Sequence, residues 1–221
     1  PDGQSITVGY ANGDIKVWSV QDYQLSIELD GDGATVTSIG YRPNGSEMVA
    51  VYQDNVSVVA KAIIWPTSTD TSQQPVAELD DLPLVSGTPI YSSDSGGNYL
   101  AIPFEDGTFR IWSTDQYQLL ANREAYSVPV DSLQYHPLGK SLVTVSVNGT
   151  IDVWSTDTYQ QIAVLTEAAP SNGFGVAKHT ADGRLIGINH RGELRIWSSE
   201  GSFYLIKGVW LGDGHNIVIT D

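Results

Sequence analysis

The sequence predicts an all-β fold, a β-propeller of four-stranded antiparallel blades with five repeats visible, on three observations. The first is a repeated phrase. Ile151-Asp152-Val153-Trp154-Ser155-Thr156-Asp157-Thr158-Tyr159-Gln160 returns, nearly unchanged, as Phe109-Arg110-Ile111-Trp112-Ser113-Thr114-Asp115-Gln116-Tyr117-Gln118. The second is its period: Trp18, Trp65, Trp112, Trp154 and Trp197 stand 47, 47, 42 and 43 residues apart, and a fixed period of that order marks a repeat architecture. The third is physical. A small four-stranded sheet cannot bury both faces alone, so neighbouring units must stack, and radial stacking gives a propeller.

The first unit, about residues 1–34, opens with a turn at Pro1-Asp2-Gly3 and enters a strand at 5–10 whose apolar residues alternate. Asn12-Gly13 supplies a tight hairpin, because both central residues of a type I′ turn need positive φ. Strands at 15–19 and 25–29 complete a three-stranded meander. The second unit, 35–84, shows four strands: 36–41, 48–52, a long third strand reaching Trp65, and 76–79. Residues 55–62 are extra relative to the other units and are expected to protrude. Pro66 is expected to end the third strand early, since proline has no N–H for the ladder.

The third unit, 85–128, runs from Thr88 through a turn at Ser95-Gly96-Gly97, a strand at 99–104, the hairpin Asp106-Gly107 and the Trp112 phrase. In the fourth, 129–170, Val130, Leu133 and Tyr135 precede Gly139 at the offsets with which Val36, Ile39 and Tyr41 precede Gly45. Phe174, Ala177 and His179 keep those offsets from Gly183 in the fifth unit, 171–208, where Leu194-Arg195-Ile196-Trp197 closes the third strand. All five units form one domain spanning 1–221.

The last stretch, 209–221, reads in two ways. In one, 203–211 is an outer strand and 216–220 is a first strand that completes the blade opened by Pro1, giving a closed five-bladed ring. In the other, Val209-Trp210-Leu211-Gly212-Asp213-Gly214 copies Gln134 to Gly139 and starts a sixth blade, which leaves 17 residues from Trp197 to Gly214 where other units use 27 to 32. An excerpt of a longer propeller, seven-bladed for example, is the favoured reading.

These residues resemble the WD-repeat family. The resemblance rests on the turn of Pro-Asp-Gly type, the hairpin of Asp-Gly or Asn-Gly type, and the strand ending in Ile/Val-Trp, in five ordered copies over nearly the whole chain. There are departures. The Asp that usually follows the Trp is replaced by Ser19, Pro66, Ser113, Ser155 and Ser198, and the family's Gly-His is missing from most units. The side-chain hydrogen-bond network of the family is therefore expected to be reduced, with hydrophobic stacking supplying more of the stability. The resemblance implies a non-enzymatic scaffold that binds another protein.

Composition narrows the partners. Eleven basic against 26 acidic residues give a net charge of −15, which repels phosphate backbones and anionic lipid. No nucleic acid and no direct membrane insertion are expected, and no apolar run approaches a membrane span. Cysteine is absent, so there is neither a disulfide framework nor a thiolate metal site. Low lysine with abundant Ser, Thr, Gln, Asn and Tyr leans toward an extracytoplasmic or extracellular bacterial protein.

Motifs of chemistry are few. There is no Gly-x-Ser-x-Gly elbow and no His-x-x-x-His spacing. Gly139-Lys140-Ser141 lacks the first glycine of a phosphate loop, and Tyr41 stands where a calcium loop beginning at Asp30 would need its closing Glu. His179 replaces Tyr41 and Tyr135 in register and reads as a packed ring between blades. No cofactor and no metal are expected.

In a meander, the second-to-third hairpins lie on one side with the inter-blade loops. That side is acidic, with Asp14, Asp54, Glu105, Asp106 and Glu193 in hairpins, Asp30, Asp32, Asp80, Asp81, Glu124 and Glu167 in inter-blade loops, and Arg123 and Arg191 as its clearest cations. It could steer a basic partner, although the opposite side carries Asp22, Asp70, Asp115, Asp157 and Glu200. The partner-binding set expected on the first side is Asp54, Lys61, Asp80, Asp81, Glu105, Asp106, Arg123 and Arg191, centred on the irregular second unit. Two other classes stand beside the scaffold: a structural subunit of a large extracellular or envelope assembly, and a carboxylate-metal enzyme or small-ligand binder at the central channel.

Overall fold

The computed structural model describes residues 2–31, 33–54, 56–68, 74–94, 96–165, 174–189, 193–198 and 205–210. They form five antiparallel sheets. Blade 1 has three strands, β1 (Ser5–Gly9), β2 (Ile15–Ser19) and β3 (Leu25–Leu29). Blade 2 is β4 (Thr35–Tyr41), β5 (Glu47–Gln53), β6 (Val59–Pro66) and β7 (Ala77–Pro83). Blade 3 is β8 (Ile90–Tyr91), β9 (Tyr99–Pro103), β10 (Thr108–Ser113) and β11 (Leu119–Glu124). Blade 4 is β12 (Val130–Tyr135), β13 (Ser141–Ser146), β14 (Ile151–Ser155) and β15 (Gln161–Val164). Blade 5 is β16 (Phe174–His179), β17 (Leu185–Asn189), β18 (Glu193–Trp197) and β19 (Leu205–Trp210).

Every blade is a meander in sequence order, with the repeated Trp on the strand before the last. Among the described residues blade 1 comprises the counterparts of the last three strands of the other blades, so β1 corresponds to β5, β9, β13 and β17. Val209 and Trp210 lie in β19, paired with Leu194 and Glu193 as the outer strand of blade 5. The first strand expected at 216–220 lies outside the described residues.

Alternation in the strands builds the core. Successive side chains point to opposite faces, and each blade uses both. Four buried clusters result, one at each junction between consecutive blades. The Trp of each blade packs back on the preceding one: Trp65 joins Ile15 and Val17, Trp112 joins Val49 and Val51, and Trp197 joins Val143 and Val153. Trp154 meets Phe109 edge to face at 5.0 Å, an arrangement that suits the ring quadrupoles.

Part of the expected polar network survives. Trp154 Nε1 donates to Thr144 Oγ1 at 3.1 Å, and Tyr126 Oη lies 2.7 Å from the same hydroxyl. In blade 2 Tyr52 takes the role of that threonine, accepting from Trp65 Nε1 at 3.2 Å. The Trp65 and Trp154 junctions are thus apolar stacks with one or two buried hydrogen bonds inside them.

The second unit differs from its sequence reading in two ways. Pro66 does not stop β6 early; it is paired with Glu47 as the last residue of the strand, where a missing N–H is tolerated. The extra residues do not form a free loop throughout. Residues 59–62 extend β6, and β7 lengthens to match, with Val59 opposite Pro83 and Ala60 opposite Leu82.

The phrase ending in Tyr-Gln also acquires a physical reason. Tyr23, Tyr117 and Tyr159 have φ of 57°, 52° and 55°, the left-handed region that non-glycine residues visit rarely. A register shift sits beside each, just before Trp18, Trp112 and Trp154. In blade 3 this turn aims its tyrosine at the preceding blade, where Tyr117 Oη reaches Glu47 Oε2 at 2.5 Å.

Candidate functional site

The hairpin and inter-blade loop side is built from paired turns. Gly13 and Gly107 take φ of 91° and 83°, as tight hairpins require. The next inter-blade loop rests directly on each hairpin: a Cβ on Gly31 would stand 2.1 Å from the Gly13 backbone, and one on Gly107 would stand 2.0 Å from the Tyr126 carbonyl oxygen. Ala125 N and Tyr126 N both donate to Gly107 O at 3.1 Å. Hairpin and loop thus form one rigid rim.

Several of the carboxylates expected on this rim shape turns. Asp54 accepts from the Val56 N–H at 2.7 Å, from the Ser57 N–H, and from Ser57 Oγ at 2.7 Å; these bonds, chiefly those of Ser57, hold its carboxyl below the usual range. Asp106 accepts from Thr108 N at 2.9 Å and from its hydroxyl at 2.7 Å. Asp14 receives Asn12 Nδ2 at 2.7 Å and Gly31 N at 3.3 Å. Except for the Gly31 bond, these are local bonds to backbone N–H groups and neighbouring side chains, of the kind that favours Asp in turns. Their remaining lone pairs, with exposed Asp30, Glu105 and Glu124, keep the rim negative.

Asp80 and Asp81 are corrected in place: they lie in β7 rather than in a loop between blades. Asp81 has φ of 52° beside a register shift, so a bulge turns the outer strand there. Lys61 is engaged across that strand pair, with Nζ 2.7 Å from Glu78 Oε2 and 3.9 Å from Asp80 Oδ1. Arg123 is corrected too. It belongs to β11, and its Nε donates to the Tyr159 carbonyl at 2.7 Å, which ties two blades together. Arg191, Asp32 and Glu167 lie outside the described residues.

Sequence reasoning missed the apolar part of this side. At the tip of the blade 2 hairpin, Val56 and Val58 are 91% and 82% exposed, with Val59 at 44%. The signal was present as a Val-Ser-Val-Val run inside the extra residues. A second unforeseen feature lies where blades 2 and 3 meet. Arg42 donates from Nε to the Gly96 carbonyl at 2.7 Å, from one terminal nitrogen to Glu47 Oε2 at 3.1 Å, and from the other to Thr114 Oγ1 at 2.9 Å.

His179 occupies the expected place between blades. Its ring stands edge-on to His136, centroids 4.9 Å apart, and its Nε2 is buried without a partner among the described residues. Burial, with the neighbouring His136, pulls its pKa down to about 4. The folded form is therefore neutral, and its contribution is complete above the ordinary value of 6.5 and lost as pH falls from there toward about 4. Asp152 works in the opposite sense, because burial raises it to about 6. Comparison with a variant isolates the histidine: the stability advantage of the wild type over His179→Gln is expected to shrink by about 2–3 kcal/mol across that window, read by urea unfolding at each pH.

The inner strands line a cleft of about 390 Å³ that includes Tyr91, Asp131, Gln134 and Lys178. Among the described residues no three His, Asp or Glu side chains converge as a metal site would need. No helix is long and apolar enough to cross a membrane.

Known proteins match this geometry. The profile described as WD domain, G-beta repeat, matches residues 118–155, from the start of β11 to the end of β14, so the sequence repeat is offset from the blade by one strand. Autophagy-related protein 16 of Arabidopsis thaliana is 24% identical over 153 residues, which cover 66% of this chain and 28% of that protein. Among solved structures, the crystal structure of the Mitotic Checkpoint Complex superposes with a TM-score of 0.75 at 15% identity, over 96% of this chain and 65% of that one. The computationally designed Ika8 protein gives a TM-score of 0.74 at 22% identity, over 97% and 60% respectively. At these identities the two structures speak to the fold, and the chain spans only about a quarter of the plant protein.

Proposed function

We propose that this chain, a β-propeller of WD-type repeats, is a non-catalytic scaffold whose hairpin and inter-blade loop side holds another protein, with the blade 2 hairpin as its anchor. The observation that carries this reading is the pair Val56 and Val58, presented almost fully to solvent on the hairpin that leads into the lengthened β6. Two apolar side chains on a short, Asp54-capped turn suit insertion into an apolar pocket, the usual core of a binding hot spot. The carboxylates on the same side, including Asp54, Glu105 and Asp106, fit a partner whose rim is basic. WD-type propellers serve as interaction platforms, which supports the class of function.

Cross-linking mass spectrometry on the native protein, reading links from Lys61, would identify the partner. With that partner in hand, the double variant Val56→Asp, Val58→Asp is expected to weaken binding by about tenfold or more, roughly 1.4 kcal/mol or above. Asp80→Lys with Asp81→Lys is expected to weaken it less and to flatten its salt dependence. Unchanged affinity in the valine variant would remove the hairpin from the interface.

A further inference from the structure

Because the blades repeat, the residue two before each Trp can be compared from one blade to the next. It is Lys16, Ile63, Arg110, Asp152 and Arg195 in blades 1 to 5. In blade 1 the position holds a cation with a counter-charge in its own sheet: Lys16 stands opposite Glu28, and its Nζ lies 2.6 Å from Glu28 Oε1. Arg110 takes the same place in blade 3, but the residue opposite it on β11 is Asn122. An amide stands where the carboxylate would be. Arg42 is held by three acceptors, Arg123 by the Tyr159 carbonyl and Arg184 by Asp182, whereas Arg110 has no ion pair and no hydrogen bond among the described residues. With 26 acidic residues against 11 basic ones, a guanidinium left without a carboxylate is not explained by scarcity.

Packing rather than hydrogen bonding holds the side chain in place. Residues two apart in a strand share a face, so Arg110 lies on the same side of blade 3 as Trp112, which packs on blade 2. Its guanidinium carbon stands 5.2 Å from the centre of the Phe104 ring, where the negative face of the ring attracts a cation. Nε is buried without a partner, and it is the one nitrogen of the three in that state. The residue as a whole is half-buried, so the two terminal nitrogens keep contact with water. Phe104 is bridged to Val85, just past the end of β7, and shares a buried cluster with Ala60 and Leu82. Ala60 and Leu82 are paired in the extended arms of the blade 2 hairpin. The open end of Arg110 thus belongs to the junction from which the Val56 and Val58 hairpin rises.

We propose that Arg110 is a carboxylate-binding site, and that a carboxylate of the docking protein takes the place beside it that Glu28 takes beside Lys16. The inference rests on the reading of the blade 2 hairpin as an anchor and adds the chemistry of one contact: next to the apolar pocket for the two valines, the partner presents an Asp, a Glu or a C-terminal carboxylate. The terminal fork of a guanidinium receives such a group through two parallel N–H···O bonds. Partial burial strengthens them relative to the same pair in open water. Glu105 and Asp106, directly after Phe104 in the chain, repel a free anion, so a bare carboxylate binds weakly and one carried on an otherwise basic surface binds well. The net charge of −15 disfavours a doubly charged phosphate more strongly than a carboxylate for the same reason.

Two measurements test it. In the first, sodium acetate is titrated against sodium chloride at equal ionic strength, and the Nε–Hε resonance of Arg110 is followed by NMR. Acetate is expected to shift it and chloride to leave it in place. Asn122→Glu gives Arg110 the internal counter-charge that blade 1 already has and is expected to abolish the acetate response, while Asn122→Gln, of the same length without the charge, keeps it. In the second, the partner found by cross-linking is expected to bind about tenfold more weakly to Arg110→Met and to Asn122→Glu, and as wild type to Asn122→Gln. Urea unfolding shows whether each variant is folded. An Arg110 resonance indifferent to acetate overturns the proposal, as does full affinity in both Arg110→Met and Asn122→Glu. If those two bind normally while Val56→Asp, Val58→Asp does not, the carboxylate site falls and the hairpin anchor stands; if all of them bind normally, both fall.

Discussion

Glu47→Ala is expected to lower the free energy of unfolding by about 3 kcal/mol, among the largest losses available to a single side chain here. Glu47 and Arg42 are 16% and 15% exposed where blades 2 and 3 meet. The carboxylate accepts from Arg42 at 3.1 Å and from the Tyr117 hydroxyl at 2.5 Å. Truncation leaves a mostly buried guanidinium without its counter-charge and a buried hydroxyl without its acceptor, and such orphaned groups cost more than the intact pair contributes. The double variant Arg42→Met, Glu47→Leu removes both charges and should recover most of the loss. Urea unfolding of the three proteins decides the matter: if the double variant is as unstable as Glu47→Ala, packing rather than the stranded charge explains the loss.

Gly107→Ala is expected to cost at least about 3 kcal/mol, well above the ordinary penalty for a side chain at positive φ. Two effects add. The residue sits at φ of 83°, and its new Cβ would lie 2.0 Å from the Tyr126 carbonyl oxygen and 2.8 Å from that of Val128. Both obstacles are backbone, so the loop joining blades 3 and 4 must move and give up its bonds to Gly107 O. Gly45→Ala supplies the control, because φ there is 73° and nothing lies within 4 Å of the added methyl. It should lose only about 1 kcal/mol. Equal losses in the two variants, measured by urea midpoint, would mean that hairpin and loop are not the single rim described above.

Strand positions were largely legible because the chain repeats itself. β2 and β3 begin and end where alternation and the flanking Asn12-Gly13 turn put them, and the offsets from Gly45 and Gly139 located β4 and β12. The candidate site was legible only in outline. Asp54, Glu105 and Asp106 do sit on the hairpin side, but Asp80, Asp81 and Arg123 are strand residues. The misplacement has one cause: an outer strand of a blade is short of apolar residues on its solvent side, so its pattern looks like loop. Lys61 and Arg123 looked like available cations, and which carboxylate or carbonyl a long side chain reaches depends on strands brought beside it from other parts of the chain.

By itself, then, the sequence determined that this is an all-β repeat protein and where most of its strands fall, because period and alternation are local properties of the chain. Only the tertiary structure decided that Arg42 and Glu47 fasten blade 2 to blade 3, and that Arg110 lies over Phe104 without a counter-charge where Lys16 has Glu28. Those outcomes depend on what stands on the far side of each sheet. Identical phrases in a repeat acquire different fates from their neighbours, and a neighbour is a fact of three dimensions.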